Sequence, residues 1–463
     1  MIGLVRTACA PPVRHVHLGL GNFFRAHQAW YTAHASDGTD WGIAAFTGRS
    51  PGLARLLSAQ DGLYTLVTRA GDGDRFEVVP TIAEAHAADD HGAWLGYLAS
   101  PDVRLVTTTV TEAGYVRTTT GGLDTSRAEV LADVETLRAD PTALVRTAPA
   151  KLVAGLAARR RAGAGPLTVV PCDNLPDNGA AVARVVHELA DLVDPGLAAW
   201  IVETVGFATT MVDRITPEPT AEDVATVAAQ TGLLDGAPVV TEPFTEWVIS
   251  GTFAAGRPRW EDAGATFTDD VAPFEERKLW LLNGAHSMLA YAGSLRGHVT
   301  VADAMRDETC RAWLEEWWDA ASAHLTLPAS DIAAYRSALT ERFANPRMQH
   351  RLDQIAFDGS QKLPIRTLPT LRREVAAGRV PPGATRPVAA WICHLRGFGA
   401  RVTDARAEAF VPLASGPIAE AVPRVLDALD PALAADVAVV AAVLDQAREL
   451  ERSGTSRLAA PAR

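Results

Sequence analysis

Lysine is almost missing from this chain of 463 residues: of 43 basic side chains only Lys151, Lys278 and Lys362 are not arginine. Arginine holds its proton at any working pH, whereas a desolvated lysine can release it and act as a base. Each retained lysine is therefore either a chance survivor or a place where arginine cannot serve. Cysteine is scarce too. Cys9, Cys172, Cys310 and Cys393 are widely spaced, with no Cys-x-x-Cys pair, which argues against a disulfide framework and a structural zinc cluster and leaves buried, reduced thiols as the expectation. The longest apolar run, 434–444, carries Asp436 inside it and falls far short of the ~20 residues that span a bilayer. The first residues, MIGLVRTACAPP, hold no continuous apolar stretch of the kind an export signal needs. A cytoplasmic protein without a membrane partner is expected. The formal charge of −12, without any basic run, argues against a nucleic-acid partner.

The length exceeds what one hydrophobic core usually fills, so two domains are expected. Apolar strand-like runs at 13–20, 41–47, 103–110 and 167–171 alternate with helical patterns at 23–35, 125–138, 150–161 and 180–192. That rhythm predicts a Rossmann-like α/β domain over residues 1–270, mainly a parallel sheet with helices on both faces. The runs 63–68 and 75–79, separated by Gly71, Asp72, Gly73 and Asp74, predict an antiparallel hairpin set into it. From near Asp269 the pattern becomes almost entirely helical, giving a second, mainly α-helical domain over 271–463.

The stretch HLGLGNFFRAH, residues 17–27, closes the first strand and opens the first helix. Gly19 would permit the tight turn, and Gly21 would let a pyrophosphate approach the backbone ahead of Asn22 and Phe23. The usual third glycine is Phe24, and Arg25 could add a charge near the phosphates. After the second strand, where an acid normally binds the adenosine ribose, the sequence reads FTGRSPG with Arg49 and no carboxylate. These residues alone decide neither NAD nor NADP. Asn174, in CDNLPDNG, and Asp213, in MVDRITP, each follow a strand-like run and would emerge where α/β sheets bind ligands; each taken alone reads as a turn or cap residue and gains weight only beside the other motifs.

Residues 276–293, ERKLWLLNGAHSMLAYAG, have the periodicity of a buried helix interrupted by Lys278, Asn283 and His286. At about 100° per residue of an α-helix, His286 lies roughly 80° and Asn283 roughly 140° from Lys278, so all three can look into one cavity.

Taken in order, HLGLGNFFRAHQ, CDNLPDNG, MVDRITP and the Lys-x-x-x-x-Asn-x-x-His of KLWLLNGAH resemble the mannitol dehydrogenase family of polyol-specific long-chain dehydrogenases. The resemblance implies a metal-independent, NAD-linked oxidoreductase, with NADP possible, acting on a polyol or sugar acid. It implies that Lys278 is the catalytic base, that Asn174 and Asn283 stabilise the oxyanion, and that His286 and Asp213 hold substrate. The family's mannitol 2-dehydrogenases place an arginine just before the Asp-Gly-Ser element, and this chain has Gln354 there. Its His-Arg, Gln-Ile-Ala and DGSQKLP pattern is more similar to the fructuronate reductases, which interconvert D-fructuronate and D-mannonate; D-mannitol and D-fructose are the alternative pair. A hexonate needs a cation for its carboxylate, and Arg351, Lys362 or Arg366 could supply it. Competing classes fit less well. None of the six tyrosines precedes a lysine by four residues, as a short-chain dehydrogenase requires, and a non-catalytic dinucleotide-sensing protein would not need Lys278, Asn283 and His286 together.

Overall fold

The computed structural model describes residues 2–453, and the chain divides into two compact units, Met1–Ala272 and Pro273–Arg463. In the first, the strands Val13–Leu18, Gly42–Phe46, Ile82–His86, Leu105–Thr108, Leu167–Pro171 and Val205–Phe207 form one parallel sheet. Counted along the chain they lie in the order 3-2-1-4-5-6. This is the doubly wound arrangement, whose direction of travel reverses between the first and fourth strands.

Period-two alternation gives the sheet two buried faces. Val16, Leu18, Phe46, Val106 and Val169 point into one core, closed by Trp94 and Leu98 of the helix His91–Ala99, Val153 of Ala148–Ala162 and Val182 of Asn178–Val193. Ile43 and Ala45 point the other way, against Phe24, Leu57 and Leu66, while Leu105 and Val170 meet Tyr31, Trp247 and Trp260. Burial on both faces is why these strands read as near-continuous apolar runs rather than alternating ones.

The expected hairpin is present as Tyr64–Ala70 against Gly73–Val79, with Ala70 opposite Gly73, so only Gly71 and Asp72 form the turn. It joins Val239–Thr241 in a separate three-stranded sheet. Two local expectations are corrected. The first helix is not continuous over 23–35: it breaks at His27 (φ −123°, ψ −87°) into Asn22–Ala26 and Gln28–His34. The break is fixed by tertiary contacts, since the His27 ring pairs with the carbonyl of Glu246 at 3.0 Å and packs on Phe23 and Trp247. Cys9 is exposed, while the other three thiols are buried.

The second unit is mainly helical. At its centre the helix Ala285–Leu295 is buried at every position, and it packs against Pro382–Leu395 and Glu308–Ser322. Among the described residues no helix is long and apolar enough to cross a membrane.

Candidate active site

In the first unit the glycine turn stands where the strand order reverses. Gly19 has φ +115°, and a Cβ there would lie 2.2 Å from the carbonyl oxygen of Thr109; no other residue fits both the conformation and the approach. Thr109, just beyond the fourth strand, closes the turn by donating its hydroxyl to the Gly19 carbonyl at 2.8 Å and its N–H to Leu18 at 2.9 Å. Gly21 is extended, and a Cβ on it would meet nothing nearer than the Gly19 carbonyl at 3.6 Å. The backbone is thus open to close approach on that side, as a dinucleotide phosphate requires.

Arg25 does not present the expected free charge. Its guanidinium is buried and lies over Tyr64, donating to the carbonyls of Gly21 and Ala237 and, at 2.6 Å, to Asn22 Oδ1. It ties the glycine turn to the loop at Ala237. Phe23 is half-buried and nearly parallel to the His27 ring at 5.0 Å, and Arg49 is exposed in the turn after the second strand. Sequence reading passed over Thr47, which directly follows that strand and whose buried Oγ1 has no partner. An unsatisfied buried hydroxyl calls for a ligand or water, and its place is the strand end at which this fold holds the ribose. Gly19, Gly21 and Thr47 therefore fit a dinucleotide.

Asn174 is exposed, three residues beyond the strand Leu167–Pro171. Its neighbour Asp173, also passed over, is an anchor: it accepts from the Tyr115 hydroxyl and from the Val110 N–H at 2.5 Å. Burial pushes its carboxyl up to about 7, against the lowering effect of those donors. Asn178 fastens the other end of the loop, bonding the carbonyls of Asp173 at 3.1 Å and Thr210 at 2.8 Å. Asp213 ends the strand Thr209–Asp213 and is buried.

In the second unit the segment carrying Lys278 is not a plain α-helix. An α-helix Ala272–Arg277 gives way to a π-helical stretch, Lys278–Gly284, before the α-helix Ala285–Leu295 resumes. The wider i→i+5 turn advances less per residue than the α-helical ~100°, so Asn283 comes round closer to Lys278 than expected. Two indoles support it: Trp317 Nε1–H donates to the Trp280 carbonyl at 3.0 Å and Trp318 Nε1–H to that of Leu281 at 2.9 Å. Lys278 and Asn283 are half-buried.

His286 follows on the next turn, buried, with Nε2 unpartnered. Its ring lies 4.7 Å from those of Phe343 and His350. Burial, and then the neighbouring His350 and the charges of Arg342 and Arg366, hold its pKa well below the usual value. The element Asp358–Gly359–Ser360 is fixed by Asp404, which accepts from the Ser360 N–H at 2.7 Å and from its hydroxyl. This sets the helix Gly359–Arg366, on which Lys362 and Arg366 are one turn apart. Lys362 donates to the Ile355 carbonyl at 3.1 Å, and burial, followed by the Arg366 charge, lowers its pKa to about 8. Arg351 stands apart: it is exposed and paired with Asp353 at 2.6 Å. Gln354 is exposed beside it. His298, Asp307 and Cys310 also cluster, but Asp307 Oδ2 is already shared by Arg296 at 2.6 Å and His298 at 2.8 Å.

A 3-2-1-4-5-6 sheet with its glycine turn at the reversal point, in one chain with a mainly helical unit, defines a protein of the Rossmann, dinucleotide-binding fold class. Residues 13–262 match the mannitol dehydrogenase Rossmann domain and residues 270–420 the mannitol dehydrogenase C-terminal domain. The chain belongs to the mannitol dehydrogenase family. It is 39% identical to the D-mannonate oxidoreductase of Escherichia coli (strain K12), over 83% of this chain and 80% of the relative. It is 37% identical to a mannitol 2-dehydrogenase of Cereibacter sphaeroides, over 83% and 81% respectively. The Pseudomonas fluorescens mannitol 2-dehydrogenase, solved as a ternary complex with NAD and D-mannitol, matches with a TM-score of 0.79 and 35% identity over 96% of this chain and 93% of that one.

Proposed function

We propose that this chain is an NAD-dependent oxidoreductase that interconverts the secondary alcohol and the ketone of an open-chain sugar derivative, with D-mannonate and D-fructuronate as the preferred pair. The observation that carries the reading is the π-helical turn that displays Lys278 and Asn283 ahead of His286. Helical backbone of this kind is rare and is frequently found at functional sites.

Bound NAD would supply the hydride acceptor, held by the backbone at Gly19 and Gly21 and by the Thr47 hydroxyl. Lys278, as the neutral amine, takes the proton of the substrate hydroxyl. The Asn283 amide donates to the oxygen as negative charge develops on it, an arrangement worth about 2.7–4 kcal/mol per donor in comparable oxyanion sites. His286 stays a neutral imidazole, and its Nε2 can bond a neighbouring substrate hydroxyl. The preference for a sugar acid is supported by the cations around His286 and by the likeness to the D-mannonate oxidoreductase. The likeness to mannitol 2-dehydrogenases supports the second reading, D-mannitol and D-fructose.

Assays of D-mannonate, D-mannitol, D-arabinitol and D-sorbitol, each with NAD and with NADP, separate the two. D-mannonate with NAD is expected to give the highest kcat/KM. Good turnover of D-mannitol without turnover of D-mannonate contradicts the sugar-acid reading.

A further inference from the structure

We propose that Arg366 is the residue that receives the substrate's carboxylate. The proposal rests on reading this unit as the substrate-binding half of a sugar-acid dehydrogenase, and it names the group that would set acid against polyol. Lys362 and Arg366 are four residues apart on one short helix, so their side chains share a face. Like charges at that spacing destabilise a helix by about 0.2–0.5 kcal/mol unless something anionic offsets them. Both are half-buried, and desolvation is the leading influence on each, lowering both pKa values.

The two cations differ in what already faces them. Lys362 feels the carboxylates of Asp358 and Asp404, which partly compensate it, and its ammonium is engaged by the Ile355 carbonyl. Among the described residues no carboxylate offsets the desolvation of Arg366, whose charge is favoured by the Tyr291 phenol. Its guanidinium makes one long contact, Nη1 to Ser287 Oγ at 3.4 Å, while Nε is buried without a partner. A guanidinium steadied through Nη1 leaves its Nε and Nη2 edge, the pair of parallel donors that grips a carboxylate bidentately.

A second, independent sign of a ligand is His286, buried with Nε2 unsatisfied and close enough to Arg366 for that charge to depress its pKa. A buried polar atom without a protein partner calls for a water, an ion or a ligand. An imidazole for a hydroxyl, and within its electrostatic reach a guanidinium for a carboxylate, match an open-chain sugar acid and exceed what a neutral polyol needs. Arg351, exposed and paired with Asp353, lacks this setting.

The test is the ratio of kcat/KM for D-mannonate to kcat/KM for D-mannitol in the wild type, Arg366→Gln and Arg366→Lys. In Arg366→Gln the ratio should fall at least about tenfold, the loss of one charge-assisted pair, chiefly through a raised KM for the acid. Arg366→Lys should fall between, because a point charge replaces a fork. A ratio within threefold of wild type in both variants overturns the assignment. If Arg366→Gln does not fold, Arg366→Lys alone decides: an unchanged ratio overturns the proposal and a lowered one supports it. Wild-type enzyme that oxidises polyols but no sugar acid overturns the sugar-acid reading together with this proposal. Wild-type turnover of D-mannonate with unchanged ratios overturns the Arg366 assignment alone.

Discussion

Replacing Gly284 by alanine tests whether the π-helical turn depends on the tryptophan wedged beneath it. A Cβ at 284 would lie 2.4 Å from Trp317 Cζ2, 3.0 Å from Cε2 and 3.1 Å from the Arg366 carbonyl. Ordinary carbon contacts are about 3.5–4.0 Å, so the indole must retreat by roughly 1 Å. Trp317 is fully buried, and its Nε1–H holds the Trp280 carbonyl at 3.0 Å, so retreat strains the packing and that bond together. Overpacking costs about 1–3 kcal/mol and the weakened bond about 1, while alanine's better helix propensity returns about 1. A net loss of about 1–3 kcal/mol is expected in denaturant unfolding followed by tryptophan fluorescence. The kcat should fall as well, because Lys278 and Asn283 ride on the displaced turn. Gly293→Ala is the control on the following helix: its Cβ would meet Leu352 Cδ1 at 3.2 Å and Ala304 Cβ at 3.3 Å, which small adjustments relieve. Equal stability and equal turnover in the two variants would refute the reasoning.

Two further outcomes are expected. Gly19→Ala places a Cβ at φ +115° and 2.2 Å from the Thr109 carbonyl, so NADH binding measured by fluorescence titration should weaken at least about tenfold, with unaltered affinity counting against the glycine turn as cofactor site. Four buried histidines and the half-buried His350 stay neutral in the fold: desolvation takes His15 to about 3, His350 and His394 to about 4, and His17 and His286 well below normal. The unfolded chain takes up these protons near pH 6.5, so the stability they leave intact above that pH is lost as pH falls towards 4, each contributing up to about 1.4 kcal/mol per pH unit. Unfolding curves at pH 7, 6 and 5 check this, and a midpoint that does not move between pH 7 and 5 contradicts it.

The parallel sheet was legible because strands buried on both faces write unmistakable apolar runs, and the glycine turn because few residues tolerate its geometry. What escaped sequence reading was set by partners far along the chain. The break at His27 depends on Glu246 and Trp247, and the π-helical turn on Trp317 and Trp318, none of which leaves a mark in the local pattern. Arg25 and Arg351 were equally plausible charges in the sequence. One is buried among carbonyls and the other neutralised two residues away by Asp353. Arg366 stands out only when the fold shows which acids surround Lys362 and which do not reach its neighbour. Thr47 was concealed by its ordinariness, and only its unsatisfied, buried hydroxyl draws notice.

The central claim is that Lys278 is the base for alcohol oxidation, and kcat in Lys278→Arg and Lys278→Ala, measured alongside NADH binding, tests it most directly. Removing a general base costs about 10²–10⁴-fold, and arginine cannot replace it because it does not release its proton. Both variants should therefore lose turnover on that scale while binding NADH within a few-fold of wild type. Retention of a tenth or more of the wild-type kcat by Lys278→Arg would contradict the account.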